Sequence, residues 1–461
     1  MGAALVWLLV THTLVAYLAK ENPGLALELA PGNPPALIQQ AAKIISKIEA
    51  EHPGSRELSA LPTFEPSRVG IIAATARQMS ADEGPDKTNE ARPRPVTQPL
   101  TTTDRDHLRK ARGMIKRALE RAPLTARAWT LLGRIEDLET PAADWSEKAE
   151  KYYREAARLS LHQSHAIYWL MRRNMDRQND KAALVRADQL LRTNPNAAPF
   201  VIPALAQLAE APLSNGAVKA LLNNNPPWRH QFFSSVTNYI TDARTPLDLL
   251  LATQKTPAPA TIEDWRNYIK FLIHKGFYQL AYSSWLQLLP KDQLRNAGTV
   301  FNSGFETEFS GLPFDWVVSK GTGARIHRAP DPLDGNNMAL ELEFVTGRIE
   351  FGGVSEIIAL APGTYILKGR LRGELTGKRG LVWSVSCLPK TSEPLAETPM
   401  QFGMTPRWKT FELQFVVPRQ RCETQMLHLR LDARSASEKL VRGTMWYDDI
   451  KIARTDEQAD K

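Results

Sequence analysis

The signatures of catalysis are missing from this sequence. It holds no His-Glu-x-x-His pair, no Walker loop, no Gly-x-Ser-x-Gly elbow, no Gly-x-Gly-x-x-Gly turn and no Cys-x-x-Cys pair. The zinc-hydrolase, P-loop, α/β-hydrolase, dinucleotide and dithiol chemistries that need those spacings are therefore set aside. The nine His residues are scattered, and His162 with His165, three apart, lack a third ligand for a metal. No dense basic run with interleaved aromatics occurs, although Lys and Arg outnumber Asp and Glu by 58 to 50. The formal charge of +8 and pI near 9.3 thus describe a basic, solvated surface with mild attraction for anionic lipid or acidic polysaccharide, not a nucleic-acid reader. Cysteine is scarce, with only Cys387 and Cys422 in 461 residues. Apolar runs of membrane-spanning length are also scarce, and there is one.

That run is Gly2 to Ala19, free of charged side chains. Eighteen residues at about 1.5 Å each nearly cross the roughly 30 Å hydrocarbon layer. A cleaved signal peptide is the competing reading, but a cut after Ala19 would put Tyr17 at the third position back, and no basic segment precedes the run. An uncleaved anchor over residues 1–20 is expected. Lys20 and Glu21 add no net positive block behind it, which favours export of the remainder.

Helical spacing follows. Ala118, Leu119 and Ala122 end one helix, Pro123 turns the chain, and Ala128, Trp129, Leu132 and Gly133 start the next. A shift of 38 carries Ala118, Ala128 and Leu132 onto Ala156, Ala166 and Leu170, and a further 34 carries Ala156 onto Leu190. The extra four residues of the first step fit into the turn from Thr140 to Ala143. Small residues such as Ala118 and Gly133 fall where helices cross, so a bulky residue there should disrupt the packing. This pattern resembles a tetratricopeptide-repeat array, an α-solenoid with a concave protein-binding surface; an ordinary helical bundle is the alternative. Residues 21–79 carry the first such helices. Residues 80–106 break the pattern with Pro85, Pro93, Pro95 and Pro99 and read as a loop or disordered insertion, helices resuming at Leu108. Repeats fill 107–296, with irregular joints at Pro246 and at 255–261 and a last helix pair from Trp265 to Pro290.

From residue 297 to 455 the period becomes two. Six segments, 338–344, 364–371, 381–387, 409–417, 426–431 and 444–452, alternate apolar and polar residues and predict an antiparallel β-sandwich; 456–461 form a tail. The fold class is multidomain, α then β. Five landmarks resemble, in order, those of carbohydrate-binding-module jelly rolls, the galactose-binding-like sandwiches: Phe301-Asn-Ser-Gly-Phe-Glu306, Pro313-Phe-Asp-Trp316, Leu360-Ala-Pro-Gly-Thr-Tyr365, Trp408 and Trp446-Tyr-Asp-Asp-Ile450. The resemblance implies a structural calcium held by Glu306 and Asp448 or Asp449; the alternative is carboxylates that cap turns and pair with Lys or Arg. Ser303 splits Asn302 from Gly304 relative to the tightest form of the motif. Trp383, Trp408 and Trp446 are candidates for stacking on sugar rings, or else belong to the core. Glu341, Glu343 and Glu350 are the carboxylates a glycosidase reading would need, although two of them alternate with core positions of one strand.

Together the two resemblances imply a non-catalytic protein of a bacterial cell envelope. It would be anchored once in the inner membrane with its bulk in the periplasm, bind a protein partner on the array and a polysaccharide on the sandwich, and be accessory to exopolysaccharide or surface-glycan production. A purely structural scaffold is the second reading, and a glycan-cleaving enzyme the third. In an oxidising compartment Cys387 and Cys422, both near strand ends, are expected to form a disulfide.

Overall fold

Short polar side chains start the helices. Asn22, Asn33, Ser146 and Asn179 each accept the backbone N–H three residues on, which satisfies a donor the helix itself leaves free. The structure, a computed structural model, describes residues 13–52, 99–140, 144–295, 298–345, 347–388 and 393–455. The chain divides into two compact units, with the boundary in sequence between Ala260 and Thr261.

The first unit is helical. Residues 13–21 are helical and are followed by α1 (Pro23–Leu29), α2 (Pro34–Glu51), α3 (Thr102–Arg121), α4 (Ala126–Glu139), α5 (Glu147–Leu159), α6 (Ser164–Asp176), α7 (Asp180–Thr193), α8 (Ala198–Glu210), α9 (Asn215–Asn223), α10 (Arg229–Ser235) and α11 (Thr245–Thr253). The tightest neighbours are consecutive pairs, α2 with α3, α4 with α5 and α6 with α7. The helices α4, α6 and α8 start at offsets of 38 and then 34 residues. Ala118, Ala128, Ala156 and Ala166 are wholly buried, as positions at helix crossings must be. Gly133 on α4 packs so closely on α5 that a Cβ there would lie 2.5 Å from the Tyr153 ring.

Two expectations change. Helix α3 begins at Thr102, six residues before Leu108, because Thr101 and Asp104 form a capping box that polarity alone did not reveal. Pro246 opens α11, where its fixed φ suits the first turn, so the irregular joint expected at Pro246 lies just before it, over 240–244. Among the described residues no helix is long and apolar enough to cross a membrane. Residues 1–12 of the expected anchor, 53–98 with most of the expected insertion, 141–143 of the expected turn and the 456–461 tail lie outside the described residues.

The second unit holds α12 (Ile262–His274), α13 (Tyr278–Leu286), α14 (Lys291–Arg295) and ten strands. The α12–α13 pair was expected to close the array, with a boundary near 297. It packs instead on the start of the sandwich. Trp285 meets Phe301 edge-on at 5.0 Å, Tyr282 meets Phe314 at 5.3 Å, and Arg266 donates to the Ser310 carbonyl at 3.0 Å.

The strands are β1 (Val317–Val318), β2 (Ala324–Asp331), β3 (Asp334–Phe344), β4 (Val354–Ile358), β5 (Gly363–Thr376), β6 (Leu381–Leu388), β7 (Ala396–Glu397), β8 (Gly403–Val417), β9 (Thr424–Leu431) and β10 (Arg442–Arg454). They form two five-stranded antiparallel sheets, ordered β1-β4-β9-β6-β7 and β2-β3-β10-β5-β8, a sandwich consistent with a jelly roll. All six expected strands are present. Alternate residues such as Leu340, Leu342, Leu367, Leu371, Trp383 and Tyr447 fill the core between the sheets. Phe305 and Trp316 of the landmark segments are wholly buried there, with Trp316 Nε1 donating to the Asn302 carbonyl at 3.1 Å. Cys387 and Cys422 form the expected disulfide, their Cα atoms 4.9 Å apart, at the edge of that core.

Candidate functional site

The alternation that sends Leu367, Leu371, Tyr447 and Leu340 inward sends their neighbours to the outer face of the β2-β3-β10-β5-β8 sheet. Register then fixes who meets whom. Trp446 on β10 stands between Glu341 on β3 and Arg372 on β5, and Asp448 stands beside Arg370. The β2–β3 hairpin brings Asp331 to these strands. Its carboxylate accepts from Trp408 Nε1 at 2.9 Å, and Arg372 lies 3.5 Å away. The Arg370 guanidinium lies 4.8 Å from the centre of the Trp408 ring. Trp408 is thus half-buried, fixed at its N–H by a carboxylate and at its ring by a cation.

Of the three Trp residues proposed for sugar stacking, only Trp408 offers ring surface. Trp383 is wholly buried between Trp316 and Tyr447, because its position on β6 points it into the core. Trp446 faces outward but keeps only 9% exposure. The two do not join Trp408 in an aromatic platform. Arg370, Arg372, Asp331 and Asn337 were not singled out from sequence. Arg370 and Arg372 flank Leu371 in period two, which was the available signal; Asp331 sits at a hairpin tip and gave none.

The calcium proposal fails on the chemistry of the donors. Glu306 and Asp448 do flank Gly304: a Cβ there would lie 3.7 Å from Asp448 Oδ1 and 4.0 Å from Glu306 Oε1. But Asp448, 1% exposed, is already surrounded by N–H groups. Its Oδ1 accepts from the Asp449 backbone at 2.6 Å, and its Oδ2 from Asn337 Nδ2 at 2.9 Å and from the Arg370 guanidinium. Glu306 accepts from the Met338 N–H at 3.3 Å, and the Asn302 side chain is spent on both backbone groups of Thr307. Asp449 sits at a β-bulge with a left-handed φ of 54° and pairs with Arg370 and Lys451 at 3.0 and 2.8 Å. Among the described residues no three Asp, Glu, His or Cys side chains gather as a metal site. Calcium needs six or more oxygens, and here a guanidinium supplies the positive charge, so the residues present do not fit the ion.

The other sequence candidates are engaged elsewhere. His165 Nε2 lies 3.2 Å from the Tyr153 hydroxyl, while His162 is exposed at the preceding turn. Glu341 pairs with His327 at 3.1 Å, Glu343 with Arg325 at 3.1 Å, and Glu350 with Lys439 at 2.7 Å. Lys439, with Arg348, holds the Glu350 carboxyl below its ordinary range. Two small cavities, of about 240 Å³ beside Val318 and Ile326 and about 120 Å³ beside Trp285 and Phe301, fall short of the roughly 300 Å³ of ordinary ligand clefts. Neither is lined by the Trp408 face, which is an open surface.

No family model and no curated protein matches the sequence. Among solved structures, the chain is similar to a family 4 carbohydrate-binding module at 15% identity, covering 34% of this chain and 99% of that one, with a TM-score of 0.24. It is similar to a family 61 module in complex with β-1,4-galactotriose at 18% identity, with 34% and 99% coverage and a TM-score of 0.24. A family 16 module matches at 18% identity, with 34% and 100% coverage and a TM-score of 0.24. Likeness at this level says nothing about what this chain binds.

Proposed function

We propose that this chain is a non-catalytic scaffold of a bacterial cell envelope, whose sandwich binds a glycan on the outer face of the β2-β3-β10-β5-β8 sheet. The observation that carries the reading is Trp408, an indole held partly open by Arg370 and Asp331 beside Arg372. A sugar ring offers an apolar C–H face and a rim of hydroxyls, which such a fixed ring and its flanking guanidinium and carboxylate groups complement. The carboxylates of this face are ion-paired, which favours binding over hydrolysis; hydrolysis wants one carboxyl held protonated beside an ionised partner. The helical unit serves as a tetratricopeptide-like array for a protein partner, residues 2–19 anchor the chain in the inner membrane, and the remainder is exported. The disulfide supports an oxidising compartment. The scaffold is accessory to exopolysaccharide or surface-glycan production.

The burial of Trp383 and Trp446 favours a second reading, a sandwich that only packs and binds no sugar. Isothermal titration of the chain with polysaccharide isolated from its own bacterium separates the two. The glycan reading expects saturable binding that Trp408→Ala weakens tenfold or more; binding indifferent to Trp408 removes this face from the account.

A further inference from the structure

In the helical unit three arginines, from α5, α6 and the C-terminal cap of α6, gather around the buried Glu150 carboxylate, and a fourth, Arg186 on α7, lies near Arg154. Glu150 bonds with the Arg154 and Arg177 guanidinium groups, the latter at 2.8 Å, and has Arg173 Nε at 3.8 Å. Arg173 also pairs with Asp176 at 2.9 Å and lies over the Trp145 ring at 5.2 Å. Among the described residues Arg186, next along the array, has the Gln189 side-chain oxygen at 2.9 Å as its one side-chain partner and no carboxylate. Burial, and then the neighbouring Arg154, push its proton affinity below the ordinary arginine range. Three guanidinium groups therefore share two carboxylates, Glu150 and Asp176, and Arg186 adds a fourth positive charge beside Arg154.

The network is also short of acceptors. Arg173 Nε and Gln189 Nε2 are both shielded from solvent without a hydrogen-bond partner among the described residues. An ion-pair network that served stability alone would match its charges and fill its donors, since unpaired buried donors and adjacent like charges each cost free energy. This one has a positive surplus, two unfilled donors and two arginines, Arg154 and Arg177, with 63% and 40% of their side chains exposed. An acidic side chain arriving from outside can reach the two exposed arginines and offset the positive surplus there.

We propose that the surface formed by Arg154, Arg173, Arg177 and Arg186 docks an acidic segment of a protein partner. The proposal rests on the reading of the helical unit as a protein-binding array and specifies the chemistry of what it takes. Repeated carboxylates on an extended chain match cations that come from three successive helices, and attraction of this kind sets partner choice and association rate.

The test uses the full-length chain in detergent and a fluorescein-labelled dodecapeptide alternating Glu and Gly, read by anisotropy at low salt. Binding that falls as salt rises is expected. Arg186→Glu should weaken it about tenfold and Arg186→Gln less, whereas Asp176→Asn, which removes an exposed competing carboxylate, should strengthen it severalfold. Thermal unfolding of each variant confirms that the helices remain intact. Peptide binding that ignores both Arg186→Glu and Asp176→Asn overturns the proposal. So does an alginate oligosaccharide that binds this surface when the peptide does not. If the wild-type chain captures its native partner and Arg186→Glu captures it equally well, the array reading survives and this surface is excluded. If the wild type captures none while the peptide still binds by charge, it is the array reading that fails.

Discussion

Asp137, half-buried on α4, accepts a hydrogen bond from Trp169 Nε1 at 2.9 Å. Burial raises its pKa from 3.8 to about 6 against that bond, and Glu49 adds to the rise. A carboxyl whose folded pKa lies above its unfolded one binds more protons when folded, so its effect on stability worsens as pH climbs from about 4 to about 6 and is constant above. Asp137→Asn keeps the acceptor and removes the charge. Urea unfolding should show the variant equal to wild type near pH 4 and more stable at pH 7.5, by on the order of 2 kcal/mol. Equality at both pH values contradicts the raised pKa. Arg370 offers a second test at this scale, since its guanidinium joins Asp448, Asp449 and the Trp408 ring. The melting temperature of the sandwich should be the same in excess calcium and in EDTA, and Arg370→Met should cost roughly 2 kcal/mol or more by leaving Asp448 buried without its cation. A melting temperature that EDTA lowers in the wild type restores the ion.

Glycines separate packing from propensity among the helices. In α4 a Cβ at Gly133 would overlap the Tyr153 ring, whereas in α3 a Cβ at Gly113 meets nothing within 4 Å. Alanine is the better helix former at both places, by about 1 kcal/mol. Gly113→Ala should therefore raise the unfolding midpoint, while Gly133→Ala should lower it, by about 1 to 3 kcal/mol, through overpacking. Shifts of the same sign would remove the close crossing of α4 and α5. Sequence marked Gly133 as a small residue at a helix crossing and gave the repeat of Ala118, Ala128 and Leu132, but it did not name Tyr153 as the partner. The six expected strands were legible because their apolar residues alternate. Strands β2 and β4 were not: β2 mixes Arg325, His327, Arg328 and Pro330 on a sheet edge, and β4 buries Glu356. Trp residues carry no mark of which face they will take, so Trp383, Trp408 and Trp446 looked alike until register sent one inward and two outward. The Asp331 contact joins residues far apart in sequence and has no local signature at all.

Two units with different chemistry make up the molecule, and the disulfide belongs to one of them. Cys387 and Cys422 close a loop 35 residues apart in sequence, which by chain entropy stabilises the sandwich by at most about 3 to 4 kcal/mol. Dithiothreitol should lower the unfolding transition of the sandwich and leave that of the helical unit in place; a common downward shift of both would tie their stabilities together. At this scale the central claim is that the sandwich holds a glycan without cutting it. The direct measurement incubates the chain with immobilised polysaccharide from its source organism and reads retained protein and new reducing ends in the same sample. Retention that Trp408→Ala abolishes, with no reducing ends above the protein-free control, is the result expected. Release of reducing ends, or no retention of the wild-type chain, would contradict it.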